Sequence, residues 1–316
     1  MASEVTDIDV LSASFGLGPM PEGPRVVALG GGHGLAMALR AARRYAGSVT
    51  AVVSVADDGG SSGRLRRDLD VLAPGDLRKA LAALADELSV WPGVLEHRFA
   101  SGELEGHALG NLLLVGLAEA LGSWSAALAE AGRIVGAAGD VLPATMDPVV
   151  IKAEVGGSAV EGQVAIQQAG WRGPIRGVHL VPEDAPAPPG ALQAIMEADQ
   201  VLLGPGSLYT SILAALVVPD IRTAVALTSA RVIQVANLLS EPSETDGLDG
   251  TDHLLALLEH RVRVDTYLYD RNGPLSVNEA YVFEHGVMPV GAELARPDGR
   301  AHDPALLASA LSALLS

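Results

Sequence analysis

The 316-residue sequence contains no cysteine, few aromatic residues (3%) and far fewer basic than acidic side chains. Without cysteine, disulfides, thiolate zinc sites, iron–sulfur clusters and a cysteine nucleophile are excluded. Because 21 Lys and Arg stand against 38 Asp and Glu, the net charge is −17. Such an acidic chain is a poor candidate for binding nucleic acid or for attaching to a membrane through a basic patch, so we expect neither partner.

Long hydrophobic runs are also missing. Apolar runs such as 112–118 and 212–218 are much shorter than the roughly 18 residues that a membrane span needs. The first 24 residues carry four acidic and no basic side chains, which does not fit a secretory signal. We expect a cytoplasmic protein without membrane insertion, with a flexible acidic tail at 1–24 and a single domain at 25–316. The sequence leaves homo-oligomerisation open.

The chain does contain a regular alternation of apolar runs and helical segments. Val26–Leu29 and Val49–Val55 are apolar on both faces, which is typical of parallel strands covered by helices. Residues 140–182 change character and predict a small β-rich antiparallel insertion. The pattern therefore predicts an α/β fold with a mainly parallel sheet. It further predicts strands at 160–166 and 223–227, a helix at 233–239, and a helix that begins at an Asp76 N-cap.

The first strand ends in a turn of four glycines around His33, directly before a helix. Glycines let an anion approach the backbone amides, and the N-terminus of a helix carries a partial positive charge. Leu35 occupies the third glycine position of the dinucleotide fingerprint, which disfavours a nicotinamide dehydrogenase. The turn indicates a phosphate loop of another kind, and a turn without a ligand is the alternative.

The second strand is followed by Asp57 and Asp58, and then by a Gly-Gly-Ser-Ser-Gly segment and Arg64. Adjacent carboxylates at the end of a strand could accept hydrogen bonds from ribose hydroxyls or hold Mg²⁺, and an arginine could pair with a phosphate. A solvated Asp-Gly turn is the alternative interpretation.

The segment 204–211 repeats the pattern of strand, glycine turn and helix, and we expect free amides and hydroxyls at its N-terminus. It is not a nucleophile elbow, because no glycine stands two places after Ser207. A Walker A loop is excluded, because Lys79 and Lys152 are both followed by alanine. Asn111 could reach a ligand or act only in helix capping.

Five segments together, at 30–35, 56–66, 74–78, 107–112 and 204–211, resemble the CofD-like superfamily. The match is closest to its YvcK-type branch, the gluconeogenesis factors, and it spans about 25–303. The resemblance implies a Rossmann-like three-layer α/β/α fold around a nucleotide. It also implies binding of a nucleotide sugar of the UDP-N-acetylglucosamine type, with a role in cell shape, cell-wall synthesis and central carbon metabolism.

The resemblance favours a regulatory binding protein and leaves open whether a reaction is catalysed. The alternative is a Mg²⁺-dependent transferase of the 2-phospho-L-lactate transferase type, with Asp57 and Asp58 as metal ligands. Residue by residue, we expect the ligand to contact Gly31, Gly32, His33, Gly34, Asp57, Asp58, Gly59, Gly60, Ser61, Ser62, Arg64, Asn111, Gly204, Gly206, Ser207 and Arg300.

Two positions depart from the pattern of that branch. His33 stands where a threonine is usual, and Ala301 separates Arg300 from His302 where Arg-His-Asp is usual. The charge is also uneven, because nine basic and five acidic residues lie between Arg25 and Lys79. This locally basic segment carries two of the predicted anion loops and suits a small anionic nucleotide.

Overall fold

The computed structural model describes residues 23–315. The predicted tail at 1–24 lies outside these residues except for its last two. Ten strands are present in the described part of the chain. They are β1 Arg25–Gly30, β2 Ser48–Val53, β3 Asp140–Pro143, β4 Val150–Val155, β5 Ser158–Glu161, β6 Ile175–Val181, β7 Gln200–Leu203, β8 Arg231–Val235, β9 Thr266–Asp270 and β10 Met288–Ala292.

Seven of these strands form one sheet in the order β10-β9-β8-β7-β1-β2-β3, and every neighbouring pair is parallel. The central strand β1 is buried over five of its six residues, as expected for a strand that is apolar on both faces. Its Val26 pairs with Val49 of β2 on one side and with Gln200 of β7 on the other. The predicted α/β fold with a mainly parallel sheet is confirmed.

Helices connect these strands and flank the sheet. The described helices are α1 Gly32–Ala42, α2 Gly60–Leu69, α3 Pro74–Leu84, α4 Trp91–Glu96, α5 Leu109–Leu121, α6 Trp124–Val135, α7 Gln163–Gly170, α8 Pro189–Glu197, the π-helix Leu208–Leu213 that continues into α9 Ala214–Leu216, α10 Pro219–Leu227, α11 Gly250–Glu259, α12 Glu279–Glu284 and α13 Pro304–Ala313.

The remaining three strands form the predicted antiparallel insertion, in the order β5-β4-β6. The insertion begins later than predicted, because residues 140–143 are β3 of the parallel sheet. The predicted strand at 160–166 is wrong beyond Glu161, where the chain turns into α7. The carboxylate of Asp58 accepts a hydrogen bond of 3.0 Å from the amide of Val164 and thereby stabilises the first turn of this helix.

Three other local predictions are wrong. Residues 223–227 belong to α10, which begins at Pro219, a residue well suited to the first turn of a helix. The predicted helix at 233–239 is also wrong, because residues 233–235 belong to β8, whose last four residues are buried, and residues 236–239 follow it without forming a helix. Asp76 is not an N-cap, because α3 already begins at Pro74.

The order of the strands creates a crevice beside β1. From β1 the chain builds outward through β2 to β3, and later from β7 outward through β8 and β9 to β10. The connections after β1 and β7 therefore leave the sheet in opposite directions. In open α/β sheets, ligands bind in the crevice at the carboxyl ends of two such strands.

No single helix within residues 23–315 combines the length and apolar composition of a membrane span. One pair of helices, Leu208–Leu216 and Pro219–Leu227, meets these criteria together but is bent by 77° at the break.

Candidate functional site

A cavity of about 520 Å³ occupies the crevice between the carboxyl ends of β1 and β7. Both glycine turns contribute to its wall, together with the segments that follow β2 and β8 and a loop near the end of the chain. The lining residues are Gly31–Gly34, Met37, Asp57, Asp76, Lys79, Gln163, Pro205–Ser207, Ser211, Asn237–Pro242 and Arg300–His302.

The first glycine turn presents backbone donors to this cavity. Gly31 is the N-cap of α1, and no side chain caps this helix. Among the described residues, none accepts a hydrogen bond from the amides of Gly32, His33 or Gly34, whereas the amide of Leu35 bonds to Gly31. Gly32 has a φ of +65°, a conformation that favours glycine. The N-terminus of α1 therefore offers free donors and a partial positive charge to an anion.

The second glycine turn is different, because several of its amides already have partners. The amides of Tyr209 and Thr210 both donate to the buried carboxylate of Glu244, at 3.0 and 3.2 Å. The amide and the carbonyl of Gly206 are both bonded to the Asn237 side chain, at 2.9 Å each. The expectation of free amides at this helix N-terminus is therefore wrong for these positions. Gly206 and Ser207 line the cavity, but the run of three unbonded helix amides lies on α1.

The two turns are packed in direct contact. A Cβ atom on Gly34 would overlap the carbonyl group of Pro205 and would lie 2.6 Å from the Cα atom of Gly206. Only glycine allows this approach, so Gly34 sets the distance between the two turns.

The carboxylates of Asp57 and Asp76 both face the cavity. Asp57 accepts the amide of Gly59 at 2.9 Å, and Asp76 pairs with Lys79 at 3.0 Å. Burial raises the pKa of Asp57 above its ordinary value, and the charge of Asp76 adds to this effect. The two carboxylates therefore repel each other, and a cation or a ligand hydroxyl between them would reduce this repulsion.

The raised pKa of Asp57 has a consequence for stability. An acid whose pKa is higher in the folded state than in the unfolded state lowers the free energy of unfolding once the pH exceeds the unfolded-state pKa, here 3.8. The loss of stability is complete when the pH lies above the folded-state pKa as well. Asp57→Asn should therefore raise the melting temperature near neutral pH. The gain should disappear below the ordinary pKa. Melting curves recorded near neutral pH and below the ordinary pKa measure this gain. A melting temperature near neutral pH that is equal to or lower than that of the wild type would contradict the prediction. The exposed Asp68→Asn is the control.

A half-buried acid also lines the cavity. Glu241 accepts the hydroxyl of Ser207 at 3.0 Å, and burial, followed by the charge of Glu244, raises the pKa of Glu241. His33, by contrast, is exposed and stands at the start of α1. Burial of part of its ring, followed by the charge of Lys79, lowers its pKa, so that the ring is neutral near neutral pH.

Several residues predicted to contact the ligand do not line this cavity. The Asp58 carboxylate faces α7, and the hydroxyl of Ser61 is bonded to the Asn111 amide at 3.0 Å within a buried polar cluster. The Arg64 guanidinium donates to the carbonyl of Glu105 at 2.7 Å, beside a separate shallow groove. Gly59, Gly60, Ser62 and Gly204 are also absent from the lining.

The predicted metal pair of Asp57 and Asp58 is not brought together on one face. Within residues 23–315 there is no cluster of three or more His, Asp or Glu side chains arranged to hold a metal ion. Asp57 and Asp76, however, both face the cavity, and carboxylate oxygens suit Mg²⁺, which is often held by one or two carboxylates together with a substrate phosphate.

Sequence reasoning missed eight polar cavity residues. The segment that follows β8 was predicted as a helix and was therefore not considered, and Asp76 was interpreted only as a cap. A buried acid just after the Pro-Gly that opens α3 was the available signal for Asp76. The missed residues are Asp76, Lys79, Gln163, Ser211, Asn237, Ser240, Glu241 and His302.

Fold and cavity together define an α/β protein with a ligand site at the switch point of its parallel sheet. The sequence pattern of the family described as "2-phospho-L-lactate transferase CofD" matches residues 26–297. The chain belongs to this family.

Its relatives include several curated gluconeogenesis factors. A protein of Mycobacterium tuberculosis whose name carries these words is 46% identical over an alignment of 305 positions, which covers 90% of this chain and 89% of that protein. "Gluconeogenesis factor" of Halalkalibacterium halodurans is 41% identical over 237 residues, covering 74% of this chain and 73% of that protein.

A solved structure agrees with this assignment. The crystal structure of a UPF0052 family member from Bacillus halodurans superposes with a TM-score of 0.87 at 35% identity and covers 92% of this chain and 99% of its own. The predicted resemblance to the CofD-like gluconeogenesis factors and the predicted fold class are confirmed.

Proposed function

We propose that this protein binds a nucleotide sugar of the UDP-N-acetylglucosamine type and acts as a gluconeogenesis factor that supports cell-wall synthesis, cell shape and central carbon metabolism. The observation that carries the proposal is the set of free α1 amides in the switch-point cavity. After β7 the amides of Tyr209 and Thr210 are already bonded to Glu244, so the diphosphate is assigned to Gly32–Gly34.

The remaining lining supports the same class of ligand. A volume of about 520 Å³ lies within the range of about 300–1,000 Å³ that is common for small-molecule sites. Lys79 and Arg300 provide positive charge for phosphates. Asp57 and Glu241 provide acceptors for hydroxyl groups of a ribose or a sugar. The names of the relatives support the metabolic part of the proposal.

A transferase of the 2-phospho-L-lactate transferase type is the second candidate. The description of the family favours it, and so does the pair of carboxylates in the cavity. Asp57 and Asp76 would hold Mg²⁺, which would supply positive charge to a phosphate leaving group. Lys79 would orient Asp76 through their 3.0 Å ion pair.

Titration calorimetry with UDP-N-acetylglucosamine, GDP and NAD, each with and without Mg²⁺, tests the proposal. Binding of the UDP-sugar without turnover supports the regulator. Transfer of phospholactate from a guanylyl-activated donor would favour the transferase instead. If a well-folded protein binds none of the three nucleotides, the proposal is rejected.

Arg300→Ala should weaken binding of UDP-N-acetylglucosamine about tenfold, which corresponds to about 1.4 kcal/mol for one lost charge-assisted contact. Arg300 lines the cavity and its guanidinium has no partner among the described side chains. Arg296 is an exposed residue of the same loop that does not line the cavity, so Arg296→Ala is the matched control. Equal affinities of the two variants in calorimetry would argue against a contact with Arg300.

A further inference from the structure

The carboxylate of Glu241 has one oxygen that is bonded within the protein and one that is free. Its Oε1 atom accepts a hydrogen bond of 3.0 Å from the Ser207 hydroxyl. Among the described residues, Oε2 has no hydrogen-bond partner, and it does not belong to the unpaired atoms that are shielded from solvent. No cation forms an ion pair with this carboxylate within residues 23–315. Glu241 therefore presents an accessible anionic acceptor at the cavity wall.

The backbone of Glu241 is held in place. Its amide donates to the hydroxyl of the buried Thr245 at 2.8 Å, and its carbonyl accepts hydrogen bonds from the amides of Glu244 and Thr245 at 2.9 and 2.7 Å. Because both backbone groups are bonded and Ser207 holds one side-chain oxygen, the other oxygen is positioned before a ligand binds.

This acceptor lies at one end of the crevice. In the strand order β8-β7-β1-β2, the segments after β8 and β2 are three strand spacings apart, which is about 14 Å. Helix α1 follows β1 and begins between these two segments. A diphosphate on its free amides would therefore have Asp57 on one side and Glu241 on the other.

The two ends of the cavity suit different parts of a nucleotide sugar. The end after β2 carries the charged side chains of Asp57, Asp76 and Lys79. The end after β8 combines Glu241 with Leu239, a large apolar residue that is 45% exposed and lines the cavity. An apolar surface beside one well-placed polar group is typical of a site for a ring such as a base. The end after β8 therefore fits the nucleoside better than the charged end does.

The acids at the usual place for binding ribose are engaged elsewhere. In dinucleotide-binding folds, an acidic residue about 20 positions after the glycine turn binds the ribose 2′-hydroxyl. Asp57 and Asp58 stand at about that distance. The Asp58 carboxylate is bonded to the amide of Val164, and Oδ1 of Asp57 accepts the amide of Gly59 at the charged end of the cavity. The free acceptor next to the apolar end is Glu241.

We infer that Glu241 is a specificity-determining residue whose Oε2 atom accepts a hydrogen bond from the 2′-hydroxyl of the ligand's ribose, so that the protein prefers a ribonucleotide to a 2′-deoxyribonucleotide. The inference rests on the proposed function, because it takes the diphosphate to lie at α1. It adds an orientation of the ligand, with the nucleoside toward the segment after β8 and the glycosyl group toward Asp57.

Titration calorimetry with UDP and 2′-deoxy-UDP tests this hydrogen bond. The wild type should bind UDP about tenfold more tightly, because a hydroxyl bonded to a carboxylate is a charge-assisted contact. Glu241→Ala should bind UDP and UDP-N-acetylglucosamine about tenfold more weakly than the wild type and 2′-deoxy-UDP equally well, so that the preference is lost. Glu241→Gln keeps an acceptor for Ser207 without the charge and should retain a preference of about threefold.

Two features of the design make the outcome specific. The preference is a ratio of two affinities measured on one protein, so a fraction of unfolded variant does not change it. Glu119 is exposed on α5 and does not line the cavity, and Glu119→Ala removes a negative charge just as Glu241→Ala does. The Glu119 variant should bind all three ligands as the wild type does.

Three results would overturn the inference. They are equal binding of UDP and 2′-deoxy-UDP by the wild type, a tenfold preference that persists in Glu241→Ala, and a loss in that variant for UDP-N-acetylglucosamine but not for UDP, which would place Glu241 at the glycosyl group. A folded wild type that binds neither UDP nor UDP-N-acetylglucosamine would instead reject the proposed function, so the two failures are distinguishable.

Discussion

Gly34→Ala is expected to weaken binding of UDP-N-acetylglucosamine by about a hundredfold and to lower the free energy of unfolding by about 2 kcal/mol, the usual range for an overpacked site. The added methyl group would overlap the carbonyl group of Pro205, which is backbone and cannot rotate away. The two glycine turns must then separate. This movement displaces the α1 amides from the cavity and loosens the contact between the ends of β1 and β7.

Gly116→Ala is the matched control for this substitution. Gly116 is exposed on α5, and a Cβ atom there would meet no atom within 4 Å. Because alanine is the better helix former, this variant should be more stable than the wild type by about 0.5–1 kcal/mol and should bind the ligand normally. Urea denaturation and calorimetry measure both quantities. Unchanged ligand affinity in Gly34→Ala would show that the spacing of the turns does not matter for binding.

The sequence was most informative where a local pattern determines structure. The apolar runs of β1 and β2 predicted buried parallel strands, and the glycines after β1 predicted a tight turn into a helix, whereas the anion site at that turn stays a prediction. In both cases the relevant contacts lie within a few residues or follow from burial on both faces. The prediction was wrong at 223–239, where a strand was predicted in place of the end of α10 and a helix was predicted in place of the end of β8 and the segment after it. Apolar runs of this length do not distinguish a buried helix from a buried strand.

The composition of the site was harder to predict because it depends on distant pairs. Glu244 removes the free donors of the second glycine turn from 34 and 35 positions away in the sequence. Asp58 is separated from Val164 by 106 positions, and this contact directs its carboxylate toward α7. No local sequence pattern indicates that the amides of one glycine turn stay unbonded while amides of the other bond to a distant side chain.

The two turns thus have divided roles. The turn at Gly31–Gly34 has unbonded amides and lines the cavity. The turn at Gly204–Ser207 is instead held by hydrogen bonds of Asn237 and, just after it, of Glu244. Such a locked turn provides a rigid wall against which the open turn is held. A preorganised pair of this kind reduces the conformational entropy that is lost when a ligand binds.

Glu244→Ala should lower the free energy of unfolding by about 3 kcal/mol, because it leaves several buried groups without partners at once. The carboxylate is 5% exposed and accepts the amides of Tyr209 and Thr210, the hydroxyl of Thr210 and the side-chain amide of Gln167. The last contact joins α7 of the insertion to the segment that follows β8, so its loss also loosens the insertion from the parallel sheet.

Urea denaturation of Glu244→Ala, Glu244→Gln and Glu119→Ala measures this effect. The Gln variant keeps one acceptor oxygen and should lie between the wild type and the Ala variant. Glu119 is exposed on α5, and its substitution should change stability by less than about 0.5 kcal/mol. Formate, whose carboxylate resembles the group removed, should stabilise Glu244→Ala more than the other proteins. A loss below about 0.5 kcal/mol in the Ala variant, with no response to formate, would mean that the Tyr209 and Thr210 amides do not depend on Glu244.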